Sequence, residues 1–262
     1  MKNKLFVYGI VCLLACAAAV TSCAKKTVAE DTLSIGMEIG YPPFEYFDDA
    51  GNVVGFDAQM AKAIAEKLGK KPEFINTDWT GIFAGIDSRR YDVVISAATF
   101  TEERKNAFSV SKPYIGNAQA LILRKDSKAT AANPQELTGL KVGYQADTTT
   151  DIYMTDLAAK GLRFEPFEYD KIINCFDELK IGRIDAIVCD STVAFFYGTG
   201  DDSVYKIVWQ GETEETFAIY AHKENGELMQ KIDAALDELF ADGTMQRISQ
   251  EIFNEDLVSA VR

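Results

Sequence analysis

The chain has 262 residues, of which 47% are hydrophobic, and its formal net charge is −13. A chain of this length and composition can bury the core of one large domain or of two ordinary ones, which excludes a disordered protein. The acidic excess argues against nucleic acid and anionic membrane surfaces as partners, and it favours a cationic ligand. Because His222 is the only histidine, a histidine-based triad or a multi-histidine metal site is nearly excluded. We expect no catalytic residue, metal or cofactor.

The first 22 residues are predicted to be a lipoprotein signal peptide. Two lysines precede the apolar run 5–20, which is shorter than the roughly 18 or more residues of a membrane span. The sequence VTSC at 20–23 resembles the bacterial lipobox, in which the cysteine is lipidated and becomes the mature N-terminus. The resemblance implies an extracytoplasmic protein, anchored in the cell membrane through Cys23, with residues 23–32 as a tether. An ordinary cleavage site with a chance cysteine is the alternative.

Strands and helices alternate in the first part of the remaining chain. Strands are predicted over 33–37, 44–47, 73–76 and 92–96. A helix with Asp57 as its N-cap continues to Leu68, and a second helix includes 82–86. This βαβ order predicts a parallel sheet.

The same alternation restarts after a polar stretch at 124–139. The second unit has predicted strands over 141–144, 163–167 and 184–189, and predicted helices over 148–159 and 170–180. A C-terminal helix over 226–253 is interrupted at Asp242 and Gly243. Two α/β units in one chain predict two lobes rather than one continuous sheet. Cys175 and Cys189, in the second unit, are predicted to be free thiols in the core, and a bridge between them is the alternative that an oxidising compartment permits.

Polar side chains collect where the predicted strands end. In open α/β sheets, ligands bind outside the carboxyl ends of the strands. Four such places carry residues that a simple loop does not need, and they are 38–44, 96–104, 145–150 and Asp190. We therefore expect the ligand site to be built from these four segments.

These segments offer groups for both charged ends of a small molecule. Arg104 is a fork of donors that matches a carboxylate, and Thr99 adds a hydroxyl. Thr148 and Thr149 open a helix, where free backbone N–H groups favour an anion. Asp190 is a carboxylate placed where an ammonium group can bind.

Two aromatic residues in loops, Tyr41 and Trp79, are suited to hold the rest of the ligand. A carboxylate site, an ammonium site and an aromatic slot together are the parts of a site for a free α-amino acid. Each residue also has a simpler interpretation, as a surface ion pair, a helix cap, a turn or ordinary packing. The amino-acid site is favoured because all the groups complement one zwitterion.

A series of short motifs resembles the extracytoplasmic polar amino-acid-binding proteins of ABC transporters, solute-binding protein family 3. The motifs are GYPPFE at 40–45, VGFD at 54–57, WTG at 79–81, TEER at 101–104, KPY at 112–114, GRIDA at 182–186 and ADGT at 241–244. They cover about residues 33 to 254 in the order and at the spacing of the family. The resemblance implies a monomer that binds a free amino acid and delivers it to a permease.

The resemblance also implies an α/β fold of the periplasmic-binding-protein type II, in which two hinge strands join two lobes. Lobe 1 is expected to comprise residues 33–119 and 216–262, and lobe 2 residues 120–215. The hinges are expected near 118–123 and 215–221. Ligand binding is expected to close the lobes.

The residue roles carried over from the family agree with the inventory above. Tyr41 and Trp79 are expected to stack on the ligand side chain, and the Ala97 carbonyl and Asp190 to hold its ammonium group. The carboxylate is expected to bind Thr99 and Arg104 from lobe 1 and N–H and hydroxyl donors of Thr148 and Thr149 from lobe 2. Two departures affect the lining, because Asp147 replaces the usual glycine before the threonines, and Ala97 and Ala98 replace a glycine or serine.

The ligand class rests mostly on Glu38, which lies three positions before Tyr41 and is expected at the far end of the aromatic slot. A guanidinium both stacks on aromatic rings and pairs with a carboxylate. The sequence therefore favours a basic amino acid, arginine ahead of lysine. Glutamine or another polar amino acid is the alternative, and Glu38 facing solvent or pairing with a lysine is the simpler interpretation.

Two other functions remain open on the same fold. A cyclohexadienyl dehydratase needs a carboxyl of perturbed pKa in the cleft, and Glu38 is the candidate, although Asp190 suits its acidic substrates poorly. A sensor or adhesin domain is the third interpretation. We do not expect a direct sensor, because no transmembrane helix or output domain follows residue 262.

Overall fold

The computed structural model describes residues 31–200 and 202–261. The predicted signal peptide, the predicted lipidation site Cys23 and most of the predicted tether therefore lie outside the described residues. Within the described part of the chain, every helix is too short or too polar to serve as a membrane span.

The first sheet combines strands from both ends of the described chain. Its strands, in spatial order, are β4 (Lys71–Asn76), β1 (Thr32–Met37), β5 (Val93–Val94), β14 (Tyr220–Ala221) and β6 (Ser109–Val110). Strand β1 pairs in parallel with β4 and β5, whereas β14 is antiparallel to both of its neighbours. The C-terminal part of the chain thus returns to complete the sheet that the N-terminal part begins.

The helices that cover this sheet come from both ends of the chain. They are α1 (Phe56–Lys67), α2 (Ile82–Asp87), α3 (Glu102–Ala107), α7 (Gly226–Ala241) and α8 (Thr244–Phe253). Alternate residues of β1, Leu33, Ile35 and Met37, share a buried core with Phe56 and Ile64 of α1. The first sheet and these helices form lobe 1, to which the short hairpin of β2 (Tyr46–Phe47) and β3 (Val53–Val54) is attached.

The second sheet is built in the same way from the middle of the chain. Its strands, in spatial order, are β10 (Glu165–Tyr169), β9 (Lys141–Gln145), β11 (Ala186–Asp190), β8 (Gln119–Arg124) and β12 (Tyr205–Gln210). The first three are parallel, and β8 is antiparallel to both β11 and β12. Helices α4 (Thr149–Ala159), α5 (Ile172–Lys180) and α6 (Ser191–Gly198) pack on this sheet. Together they form lobe 2.

Two antiparallel strands carry the chain between the lobes. Strand β7 (Ile115–Asn117) leads from lobe 1 into β8, and β13 (Glu215–Phe217) leads from lobe 2 back to β14. The two strands pair, and Asn117 lies opposite Glu215. The predicted architecture of two α/β lobes joined by two strands is therefore confirmed.

One local prediction is wrong, because Asp57 is not the N-cap of the first helix. Helix α1 begins at Phe56, and its N-cap is Gly55, with φ 115° and no capping side chain. Asp57 is instead buried, and its carboxylate accepts hydrogen bonds from the Ala97 N–H and the Tyr114 hydroxyl. The predicted break in the C-terminal helix is confirmed, because Gly243, with φ 79°, separates α7 from α8.

The cysteines of lobe 2 lie in its core. Cys175 and Cys189 are both buried and free, as predicted. Burial raises the pKa of each thiol, which keeps the thiols protonated and unreactive at neutral pH. Within the described residues, no group of histidine, cysteine and acidic side chains could hold a metal ion.

Candidate functional site

A small cavity lies between the two lobes, where the strands of both sheets end. Its volume is about 20 Å³, about the space of one water molecule. All nine residues predicted from the sequence line it, and the full lining is Glu38, Tyr41, Trp79, Ser96, Ala97, Thr99, Arg104, Gln145, Thr148, Thr149, Thr150, Ile172, Val188, Cys189 and Asp190. The structure thus brings the predicted residues together, and their individual roles stay predictions.

Hydrogen bonds across the cleft join the two lobes directly. The Tyr41 hydroxyl donates to Asp190 Oδ2 at 2.5 Å, and Trp79 Nε1 donates to the Asp147 carbonyl at 3.0 Å. Three of these four residues line the cavity, and Asp147 adjoins it. The lobes are therefore closed on each other, and a ligand of amino-acid size must replace some of these bonds.

Two buried acids hold the loop that follows β5. The Asp57 carboxylate accepts from the Ala97 N–H at 2.6 Å, and Ala97 has a left-handed backbone with φ 43°. The Glu45 carboxylate accepts a hydrogen bond from Ser96 Oγ at 2.6 Å. Ser96 Oγ in turn accepts one from the Glu38 N–H at 3.0 Å. Burial raises the pKa of both carboxyls. Neither role was predicted from the sequence, although Glu45 and Asp57 stand within the GYPPFE and VGFD motifs.

The candidate ammonium site is built around Asp190, the last residue of β11, which is only 6% exposed. Its carboxylate accepts from the Tyr41 hydroxyl and from Asn117 Nδ2, the latter at 2.8 Å. Burial, and then the charge of Glu215, raise the pKa of this carboxyl, while the two hydrogen bonds lower it. A buried carboxylate without a cation favours a ligand that brings a positive charge.

The candidate carboxylate site is built around Arg104 in the first turn of α3. Its Nη1 donates to the Thr99 carbonyl at 2.9 Å. The guanidinium carbon lies 5.3 Å from the centre of the Trp79 ring and 4.7 Å from that of the Phe83 ring. Burial lowers the pKa of Arg104. Among the described residues no carboxylate forms an ion pair with it, so its charge is available to an anion.

The two threonines that open α4 differ in what they offer. Thr148 is the N-cap, and its hydroxyl accepts from the Asp151 N–H and donates to the Gln145 carbonyl at 2.8 Å. In this closed form the hydroxyl hydrogen of Thr148 is used within lobe 2, and the ligand contact expected of Thr148 stays a prediction. The Thr149 hydroxyl lies 3.2 Å from the Thr99 hydroxyl of lobe 1, so both hydroxyls face the cleft.

The far end of the cavity carries unpaired acceptor atoms. Glu38 is only 2% exposed, and its Oε2 accepts from Gln145 Nε2 at 2.7 Å. The second oxygen of Glu38 and the side-chain oxygen of Gln145 are buried without a hydrogen-bond partner among the described residues. Burial raises the pKa of Glu38 to about 7, although the bond from Gln145 lowers it. Ligand N–H groups suit this end of the site. Gln145 was within a predicted segment but was not singled out.

Comparison with known proteins agrees with this geometry. The family model of the bacterial extracellular solute-binding proteins, family 3, matches residues 33–255. The chain belongs to this family. One relative, the L-cystine-binding protein TcyJ of Escherichia coli K12, is 30% identical over 234 residues, which are 89% of this chain and 86% of that protein. The ABC transporter arginine-binding protein 1 of the same strain is 30% identical over 247 residues, 92% and 98% of the two chains.

Solved family 3 structures share the whole fold. An ancestral arginine-binding protein bound to arginine superposes with a TM-score of 0.81 at 38% identity, and covers 85% of this chain and 98% of its own. Bound to glutamine, it gives 0.80 at 39% identity, with 86% and 99% covered. An ancestral amino acid-binding protein described as a precursor of cyclohexadienyl dehydratase gives 0.77 at 30% identity, with 85% and 95% covered. The family and fold expected from the sequence are confirmed.

The raised pKa of the buried Glu38 carboxyl predicts the direction in which the stability of the folded protein changes with pH. The pKa of Glu38 is raised from 4.5 to about 7, so the folded protein holds more protons than the unfolded chain between these values. The stability of the ligand-free wild type relative to Glu38→Gln therefore falls as the pH rises through this window, by about 3 kcal/mol at most. Urea unfolding of both proteins at about pH 4.5 and about pH 8 measures the change. Glu165→Gln, at an exposed carboxyl of β10, is the control, and a pH-independent difference at Glu38 would contradict the raised pKa.

Proposed function

We propose that this protein captures a free polar L-amino acid between its two lobes and delivers it to the permease of an ABC importer. The ligand is a basic amino acid, arginine ahead of lysine. The observation that carries the proposal is one cavity that combines a buried carboxylate, Asp190, with an Arg104 guanidinium that has no ion-pair partner among the described residues. An α-amino acid has one group for each of them.

The two charged ends lie on different lobes. Asp190 belongs to lobe 2 and Arg104 to lobe 1. A zwitterion that binds both groups therefore holds the lobes together and stabilises the closed form over the open one. The cavity of about 20 Å³ is too small for an amino acid, so the ligand enters an open form and replaces the direct bond from Tyr41 to Asp190.

The charge of the cavity favours a basic side chain. Its charged lining groups are the Glu38 and Asp190 carboxylates and the Arg104 guanidinium, which together leave one net negative charge when both acids are ionised. Arginine and lysine each carry one net positive charge, which matches it. The free oxygens of Glu38 and Gln145 give a guanidinium two acceptors, and relatives that bind arginine support the choice.

Glutamine is the alternative ligand, because the amide N–H₂ also suits these acceptors and an ancestral relative is described with glutamine bound. A cyclohexadienyl dehydratase is the alternative from another class, and the observation that favours it is the pKa of about 7 for Glu38, near the best value for a general acid. We propose that the protein is not an enzyme, because Asp190 repels a second acidic group on the substrate. Overnight incubation with prephenate or arogenate is expected to leave the ultraviolet spectrum unchanged.

The proposed moving bodies follow the predicted boundaries. Lobe 1 comprises residues 33–119 and 216–262, lobe 2 comprises 120–215, and the backbone bends within 118–123 and 215–221. The pairing of β7 with β13 keeps the two connections side by side, which supports rotation about one axis. We propose that the protein works as a monomer, because one chain supplies both halves of the site.

The ligand class is tested with Glu38→Gln. Thermal-shift screening of the wild type against the twenty amino acids, ornithine, citrulline and cystine is expected to rank arginine first. Removing one partner of a desolvated charge pair costs roughly 2–5 kcal/mol, so calorimetry should show arginine binding weakened about 30-fold or more in Glu38→Gln. Glutamine binding should change much less. The control Glu165→Gln should bind arginine like the wild type. A wild type that prefers glutamine, or a Glu38→Gln variant that keeps its arginine affinity, would contradict the assignment of a basic ligand.

The membrane anchor is a separate proposal, and it rests on the VTSC sequence at 20–23. We propose that Cys23 is lipidated after removal of residues 1–22. Detergent phase partitioning of cell extracts should place the wild type and Cys16→Ser in the detergent phase, because Cys16 leaves with the signal peptide. Cys23→Ala should lose that partitioning and its fatty-acid label. Equal partitioning of the three proteins would show that Cys23 is not the anchor.

A further inference from the structure

A buried polar side chain on β7, which together with β13 forms the two hinge strands that join the lobes, touches the candidate ammonium site. Asn117 ends β7 and is only 1% exposed. Its amide Nδ2 donates to Asp190 Oδ1 at 2.8 Å and to Glu215 Oε2 at 3.0 Å. A side-chain amide has two N–H donors, and Asn117 gives one to each carboxylate. One hinge residue thus bridges the acid of the ligand site and an acid of the other hinge strand.

The bridge continues along the hinge to helix α4. Gln119 Nε2 donates to both oxygens of Glu215, at 3.3 and 3.2 Å. Gln119 Oε1 accepts from the Thr150 hydroxyl at 2.7 Å. Thr150 follows Thr149 in the first turn of α4. A continuous chain of hydrogen bonds therefore connects the ammonium end of the cavity, through both hinge strands, to the helix that faces its carboxylate end.

The carboxylates of Asp190 and Glu215, two like charges, lie close together in this series of hydrogen bonds, with only amide donors between them. Neutral amide donors offset the repulsion between Asp190 and Glu215 only in part, because charges interact strongly away from bulk water. Arg104 also interacts with the Glu215 charge. A ligand ammonium places a positive charge directly beside Asp190, so both carboxylates attract it, although only Asp190 lines the cavity.

We propose that Asn117 and Glu215 are positioning residues for the ligand α-ammonium group, an inference that rests on the proposed function. Asn117 fixes the Asp190 carboxylate in the direction of the cavity, and Glu215 adds negative charge behind it. Both residues lie on paired hinge strands, so the geometry of the ammonium site depends on the hinge. The pair selects ligands with an α-amino group over acids that lack one.

Calorimetry with two ligands separates this role from a merely structural one. The ligands are arginine and 5-guanidinopentanoic acid, which lacks only the α-amino group. The variants are Asn117→Leu, which keeps the size and removes both donors, and the control Asn174→Leu at an exposed position of α5. We expect Asn117→Leu to weaken arginine at least tenfold and the des-amino acid less than threefold, whereas the control leaves both unchanged. Equal weakening of both ligands by Asn117→Leu overturns the proposal.

A second variant keeps the proposal testable if Asn117→Leu does not fold. Glu215→Gln keeps an acceptor for Asn117 and removes the repulsion with Asp190. Arginine affinity should therefore fall at least fivefold while the Tm of the ligand-free protein stays equal or rises, a combination that structural damage does not produce. Arginine affinity within twofold of the wild type overturns the proposal. The proposed function fails separately, if the wild type binds none of the amino acids in the screen.

Discussion

The buried carboxylate of Asp190 is the group on which the rest of the cleft depends. A carboxylate removed from water needs hydrogen bonds or a cation, and this one has hydrogen bonds from two sources, Tyr41 of lobe 1 and Asn117 of the hinge. Its partners therefore define both how the lobes meet and how the hinge is tied to the ligand site. In the proposed complex, the ammonium group of an amino acid supplies the cation and takes the place of the Tyr41 hydroxyl.

The opposite end of the cavity, at the Arg104 guanidinium, complements the charge of Asp190. Arg104 packs against Trp79 and Phe83, which keeps its guanidinium near the cleft while its charge has no ion-pair partner among the described residues. The loop between these ends is held from behind by Glu45 and Asp57. In the proposed function the lining groups of the cavity face the ligand and the buried acids support them, so that the division of the two charges between lobes links binding to closure.

The main features of the site were predictable because they follow from the ends of strands. Thr99 and Arg104 come after an apolar strand and Asp190 ends another, and in parallel sheets such positions gather at one edge. The supporting residues were not predictable from local patterns. Asp57 stands where a helix cap is expected, yet it bonds Ala97, forty residues away. Asn117 and Gln145 look like ordinary polar residues of strands, and only the tertiary fold brings them to Asp190 and Glu38. For Thr148 the sequence allowed both a helix cap and a ligand contact, and the structure shows the cap, with the hydroxyl donating to the Gln145 carbonyl.

The central claim is that a ligand stabilises the closed form over the open one only through both of its charged ends, because Asp190 and Arg104 lie on different lobes. Small-angle X-ray scattering measures closure directly with arginine, with agmatine, which lacks the carboxylate, and with 5-guanidinopentanoic acid, which lacks the α-amino group. The account predicts a smaller radius of gyration with saturating arginine than with saturating amounts of either analogue. The same compaction with an analogue as with arginine, or an unchanged radius with saturating arginine, would contradict it.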